Sequence, residues 1–281
     1  MNFRTEYKSE RSALTLWPDR PLLLMGSCFS DNIGAKMQEA SWRGVCVNPC
    51  GTLYNPASIA TLLQLAMGGT EGRRRAVESS LTLRDSAWVS WLFSSRISGA
   101  TSEEAAERCM EALDTLRKAL EQSQALIITL GTAYVYYRDG RVVANCHKYP
   151  EREFTRRCLS VGDCRTILSD ILQKLKDFNP ELKVIITVSP VRHLRDGFVG
   201  NSRSKATLLL SIETEYFPAY EILNDDLRDY RFYADDLLHP SQAGISYIWE
   251  KFMETYISDE GKEMIREGKK RYRRGAHRKL I

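Results

Sequence analysis

Short apolar runs, each closed off by glycine, proline or serine, alternate along this chain with longer amphipathic stretches. Leu22–Met25, with Pro21 before it and Gly26 after it, reads as a buried strand. A helix is predicted next, capped by Ser30 or Asp31 and ended by Trp42-Arg43-Gly44, with Val45–Val47 as a second strand. Asn55-Pro56 supplies an N-cap and a proline at the first helical position, opening a helix over Ala57–Met67 that stops at Gly68-Gly69. Thr101-Ser102-Glu103-Glu104 forms a capping box for a helix reaching about Gln122. Ala125–Leu130 and Lys183–Val188 are further strands, and Ala219–Leu223 is the candidate for a fifth. Helices are predicted near Asp163–Phe178, over Ser204–Glu215 and over Ser241–Tyr256. Strands that are apolar at every position are covered on both faces, so the pattern predicts a parallel sheet between two helical layers.

Two stretches break the alternation. Between Thr70 and Gly99, the cluster Arg73-Arg74-Arg75 reads as solvated, and Leu81–Ser94, with Trp88 and Trp91, reads as an inserted hairpin or irregular flap. Tyr134–Tyr137 and Arg141–Ala144, joined through Asp139-Gly140, read as a β-hairpin. No repeat and no linker divides the chain, which is expected to form one domain over 1–281 with its core at about 21–257.

Composition narrows the class. Of 281 residues, 27% are charged and 43% hydrophobic, the balance of a globular protein rather than a disordered one. The apolar runs are too short to cross a bilayer and the N-terminus lacks an apolar signal segment, so a cytoplasmic protein without a membrane partner is expected. Seven cysteines without a C-x-x-C pair argue against zinc or a disulfide framework and for reduced, packed thiols. The net charge of +4 belongs to the tail: residues 268–281 hold seven Lys and Arg and no acid, and without them 33 basic residues face 36 acidic ones. Such a tail reads as solvated, and nucleic acid is not the expected partner.

The candidate chemistry lies at the two ends. Ser27 follows the first strand, where parallel sheets bind ligands and a helix N-terminus favours developing negative charge. Asp236 and His239 stand three residues apart ahead of the last large helix, a spacing that lets a carboxylate hold one ring nitrogen while the other stays free. From the residues alone Ser27 is either a nucleophile or a helix cap, and Asp235 is an alternative partner for the imidazole.

Gly26-Ser27-Cys28-Phe29-Ser30 closely resembles the signature of GSCFA-domain proteins. Asp236-x-x-His239-Pro240-Ser241-x-x-Gly244 resembles the last motif block of the wider SGNH (GDSL-like) hydrolases. The resemblance implies a three-layer α/β/α sandwich of flavodoxin-like, SGNH-hydrolase type with a mostly parallel sheet, and ester or acyl chemistry without metal or organic cofactor. It makes Ser27 the nucleophile, His239 the base and Asp236 its orienting acid. The backbone amides of Ser27 and Gly51 become the oxyanion donors. Gly131-Thr132-Ala133 stands where typical members have Gly-x-Asn, so the third donor is missing at Ala133. Asn55, Asn145 and His147 are candidate replacements, and Thr132, Arg192 and His193 candidate substrate contacts. Cys28 is assigned to packing. The implied function is an esterase or acyltransferase handling acetyl or another short acyl group on a carbohydrate-like substrate. The alternative is a weakly active or inactive carbohydrate-binding protein whose Trp88/Trp91 flap stacks on a sugar. No G-x-S-x-G, Walker, H-E-x-x-H or G-x-G-x-x-G motif points elsewhere.

Overall fold

A computed structural model describes the backbone of residues 4–278 and the side chains of residues 4–272. In chain order the first half comprises β1 (Leu22–Gly26), α1 (Cys28–Glu39), β2 (Val45–Val47), α2 (Pro56–Met67), α3 (Thr70–Glu78), β3 (Leu81–Arg84), β4 (Ala87–Ser90), β5 (Ser98–Gly99) and α4 (Ser102–Gln122). The second half holds β6 (Ala125–Leu130), β7 (Tyr134–Arg138), β8 (Arg141–Val143), β9 (Thr155–Cys158), α5 (Val161–Phe178), β10 (Lys183–Val188), α6 (Gly197–Leu209), β11 (Tyr216–Phe217), α7 (Ala219–Glu221), α8 (Gln242–Tyr256) and α9 (Asp259–Arg278).

Five strands form an all-parallel sheet in the order β11-β10-β6-β1-β2. Renumbered within the sheet this is 2-1-3-4-5, the flavodoxin-like doubly wound order, whose direction of winding reverses between β1 and β6. The strands are apolar at most positions because successive side chains enter different cores. Leu23, Met25, Leu126, Ile128 and Ile186 pack under α2, α4 and α5. Leu22, Leu24, Ile127 and Ile185 pack against Phe29, Ile33 and Met37 of α1 and Ile248, Trp249 and Phe252 of α8.

Several elements differ from the sequence expectation. Ser27, not Ser30 or Asp31, caps α1, because the turn after β1 is a single residue long. Thr70–Glu78 is helical: Arg73 is buried and paired with Asp114 at 2.6 Å, so the arginine cluster is not wholly solvated. The flap is a three-stranded antiparallel sheet, β3-β4-β5, and the β7-β8 hairpin gains β9 as a third strand. The helix expected over Ser204–Glu215 starts at Gly197 and ends at Leu209. The fifth parallel strand is Tyr216–Phe217, while Ala219–Leu227 coils into α7 and a π-type turn. The basic segment begins within α9, where Gly268 lies against α1: a Cβ there would stand 2.2 Å from the Ala40 carbonyl. Of the tail's basic residues, Lys279 lies outside the described residues, as do the side chains of Arg273, Arg274 and Arg278. No helix among the described residues is long and apolar enough to cross a membrane.

Candidate active site

Ser27 leaves the carboxyl end of β1 at the point where the sheet changes direction, which is where such folds bind ligands. Gly26 makes this turn possible. Its φ is +131°, and a Cβ there would stand 2.1 Å from the Thr129 carbonyl oxygen. Its amide donates to Asn48 Oδ1 at 2.8 Å, and Asn48 Nδ2 donates in turn to Asp31 Oδ1 at 2.8 Å, which ties the loop after β2 to α1. Ser27 is buried, and its Oγ accepts a 3.3 Å hydrogen bond from the Phe29 amide. The cap and nucleophile readings are therefore compatible at one residue.

The second half of the constellation sits just before α8. His239 Nδ1 lies 2.6 Å from Asp236 Oδ2, and the other carboxylate oxygen accepts the amides of Leu238 and His239, each at 2.9 Å. Those amide bonds, and then the imidazole, hold the Asp236 carboxyl down at about 2. Asp236 rather than Asp235 is the partner. The turn is tight enough to force Leu237 to φ +59°, a conformation that costs a non-glycine residue of order 1–3 kcal/mol and tends to mark functional sites. An antiparallel bridge between Tyr233 and Pro240 closes the loop, and Ser241 caps α8 by accepting from the Gly244 amide. The helix α8 packs beside α1 on the same face of the sheet. Its far end is bridged to Leu16 ahead of β1, and His239 before its start lies near His193 after β10, so its N-terminus is at the carboxyl edge of the sheet. No hydrogen bond joins Ser27 Oγ to His239; such contacts are often long before substrate seats.

The two amides expected as oxyanion donors are engaged in backbone hydrogen bonds. The Ser27 amide donates to the Thr129 carbonyl at 3.1 Å and the Gly51 amide to the Asn48 carbonyl at 2.8 Å, so both are already committed to backbone partners. Gly51 serves close packing: at φ +81°, a Cβ there would stand 1.9 Å from Ser94 Oγ. The Cys28 amide, first in α1, has no such partner, as expected for a helix N-terminus.

The substituents proposed for Ala133 fall elsewhere. Asn55 caps α2 by accepting from the Ser58 amide at 2.8 Å. Asn145 Oδ1 accepts the His147 amide at 2.8 Å and its Nδ2 donates to Ser95. His147 is buried with both ring nitrogens satisfied, by Ser95 Oγ at 3.1 Å and the Ser90 carbonyl at 2.8 Å; the latter makes Nε2 the protonated nitrogen. Burial also lowers its pKa. Thr132 Oγ1 is taken up by Ser204 Oγ and the Tyr134 amide. These four residues build structure. Of the Trp88/Trp91 flap considered as a sugar platform, Trp91 is half-buried, packs against Tyr149, Phe154, His147 and the Arg138 guanidinium, and lines a second cavity. Burial, with the Asp31 charge, raises the Cys28 thiol, consistent with packing rather than nucleophilic use.

What stands at the third strand end instead is the polar face of α6. Ser204 Oγ accepts the Ala133 amide at 2.7 Å. Lys205, fully buried, donates to the carbonyls of Gly131 and Ser189, each at 2.7 Å, bridging the ends of β6 and β10. No carboxylate pairs with it among the described residues, and burial brings its pKa down to about 7. Asn201 Oδ1 accepts the His193 amide at 3.1 Å, which fixes the amide plane and leaves Nδ2 without a protein partner. His193 is pushed down to about 4, first by burial and then by the Lys205 charge, so its imidazole is neutral at pH 7. Its Nε2 is buried without a partner. Asn201, Ser204, Lys205 and Leu208 share one face at i, i+3, i+4, i+7, positions that apolar residues normally fill. That polar stripe was the available sequence signal.

A cavity of about 520 Å³ adjoins the Asp236–Leu238 turn and is lined on its other sides by Arg192, His193 and Asn201, and by Asn224 and Arg228 from the π-type turn. Arg192 and His193, which the sequence places at the same edge of the sheet as candidate substrate contacts, line this cavity together with Asp236.

Comparison with known proteins adds a family. A sequence model of the GSCFA family matches residues 21–252. No curated protein matches. Among solved structures, the chain is similar to a carbohydrate esterase family 3 protein from Talaromyces cellulolyticus at 8% identity and a TM-score of 0.37, over 89% of this chain and 99% of that one.

Proposed function

The chain belongs to the GSCFA family, and from that footing we propose that it is a serine hydrolase of the SGNH type that cleaves ester bonds. Ser27 is the nucleophile, His239 the general base and Asp236 the acid that holds the imidazole. The observation that carries this reading is the Asp236–His239 pair. A carboxylate locked by two amides meets Nδ1 at 2.6 Å, fixing the tautomer whose free Nε2 accepts a proton.

His239 takes the Ser27 proton as Oγ attacks the ester carbonyl, and the tetrahedral oxyanion receives the Cys28 amide at the positive end of α1. Asn201 Nδ2, held by the His193 amide, supplies the donor that Ala133 lacks. His239 then protonates the departing alcohol. The acyl-enzyme is resolved when water, or an acceptor hydroxyl, gives its proton to the same imidazole. Acetyl or another short acyl group on a hydroxylated, carbohydrate-like substrate is the class we assign.

The test is covalent. The parent protein reacts with a fluorophosphonate probe and turns over 4-nitrophenyl acetate, and Ser27→Ala abolishes both. A Ser27→Ala protein that labels and turns over like the parent removes the assignment.

A further inference from the structure

The cations around this site are not balanced by acids. Arg192 lies on the cavity wall, exposed, with the Asn224 side-chain carbonyl at 3.3 Å as its hydrogen-bond partner. Arg228 lines the same cavity from a left-handed position, φ +31°. Neither is within ion-pair distance of a carboxylate among the described residues, and the two share one cavity wall.

The cavity has two carboxylates, and both are engaged. Asp229 is paired with Arg231 at 2.9 Å and accepts that residue's amide. Asp236 is taken by His239 and two amides. Lys205, buried behind the strand ends, likewise has no carboxylate partner among the described residues. Part of the rim is apolar: Leu194, Phe198, Tyr230 and Leu237 are each more than half exposed there. A guanidinium with no protein acid beside it, set in a partly apolar rim next to an acid–base pair, is a receptor for an anion.

We propose that the substrate carries an anionic group, a carboxylate or a phosphate, which is held between Arg192 and Arg228 while its ester reaches Ser27. This rests on the esterase reading of the site and specifies its substrate: an acylated acid sugar or sugar phosphate rather than a neutral one. The excess positive potential draws the anion in, and the two guanidinium planes orient it.

Binding tests this apart from turnover. Calorimetry on the full-length Ser27→Ala protein compares O-acetylated glucose, O-acetylated glucuronate and O-acetylated glucose 1-phosphate. At least one anionic probe binds roughly tenfold or more tighter than the neutral one, and the advantage shrinks at about 0.5 M salt. It also collapses toward unity in proteins carrying Arg192→Gln and Arg228→Gln on the Ser27→Ala background. Whether glucuronate or the phosphate leads identifies the group. Equal affinity for all three, no binding by either anion, or a preference that survives both glutamines overturns the inference. Anion-selective binding combined with a parent protein that hydrolyses none of the probes overturns the esterase reading alone.

Discussion

Gly26→Ala is the most demanding test of how the site is held. The glycine sits at φ +131°, and an added Cβ would stand 2.1 Å from the Thr129 carbonyl oxygen and within 2.9 Å of that residue's C and N atoms. The neighbour is central-sheet backbone, paired with Gly26 in the β1–β6 ladder, and cannot rotate aside. The strained φ costs about 1–3 kcal/mol and forced overpacking about 1–3 kcal/mol. Displacing β1 also weakens the 3.1 Å bond from the Ser27 amide to Thr129, worth about 1 kcal/mol. The sum is about 3–7 kcal/mol, a large part of the 5–15 kcal/mol typical of a domain. Guanidinium denaturation, with midpoint and slope both fitted, reads it directly. The matched control is Gly140→Ala, at φ +74° with nothing within 4 Å of its Cβ, which carries the conformational cost alone. A Gly26→Ala protein destabilised no more than Gly140→Ala refutes the close approach that sets Ser27 at the strand end. Fluorophosphonate labelling falls in parallel, because the displaced segment carries the proposed nucleophile.

Three further outcomes follow from the same geometry. Asp236→Asn leaves the loop's amide bonds an acceptor but removes the charge that steadies the imidazole. Turnover drops by about 10³–10⁴, and a drop below tenfold excludes Asp236 as the orienting acid. Lys205 has a folded pKa of about 7 against an ordinary 10.5, so the unfolded chain binds its proton more tightly. Its contribution makes stability rise with pH between about 7 and 10.5, by at most about 1.4 kcal/mol per pH unit. That component is absent in Lys205→Met, as urea titrations at pH 7 and pH 9 read out; an unchanged slope excludes a depressed lysine. Ser204→Ala strips the partner from the buried Ala133 amide and costs about 1–3 kcal/mol by denaturant midpoint; a neutral result shows that the strand end finds another acceptor.

The sheet was legible because each parallel strand is apolar on both faces and each is cut by a turn residue. Ala219–Leu223 misled for the same reason: an apolar run that short fits a strand or one buried helical turn, and Tyr216–Phe217 takes the edge position instead. The Asp236–His239 pair was readable since its geometry is local, a three-residue spacing within one turn. The engagement of the Ser27 and Gly51 amides was not, because it depends on the carbonyls of Thr129 and Asn48. Asn201 and Lys205 stayed hidden because a lysine and an asparagine on a helix are ordinarily exposed. Only the backbone of the β6 and β10 ends shows why these two are not.

The proposed attacking oxygen and its proton acceptor ride on different helices, α1 and α8, near opposite ends of the chain. Their separation is governed by one apolar seam, in which Phe29, Ile33 and Met37 meet Ile248, Trp249 and Phe252. Prising that seam apart is a smaller event than melting the strands, so partial opening would silence the protein while its far-ultraviolet spectrum still looked native. Heat inactivation should therefore precede the loss of ellipticity, with hydrogen exchange quickening first along those two helices.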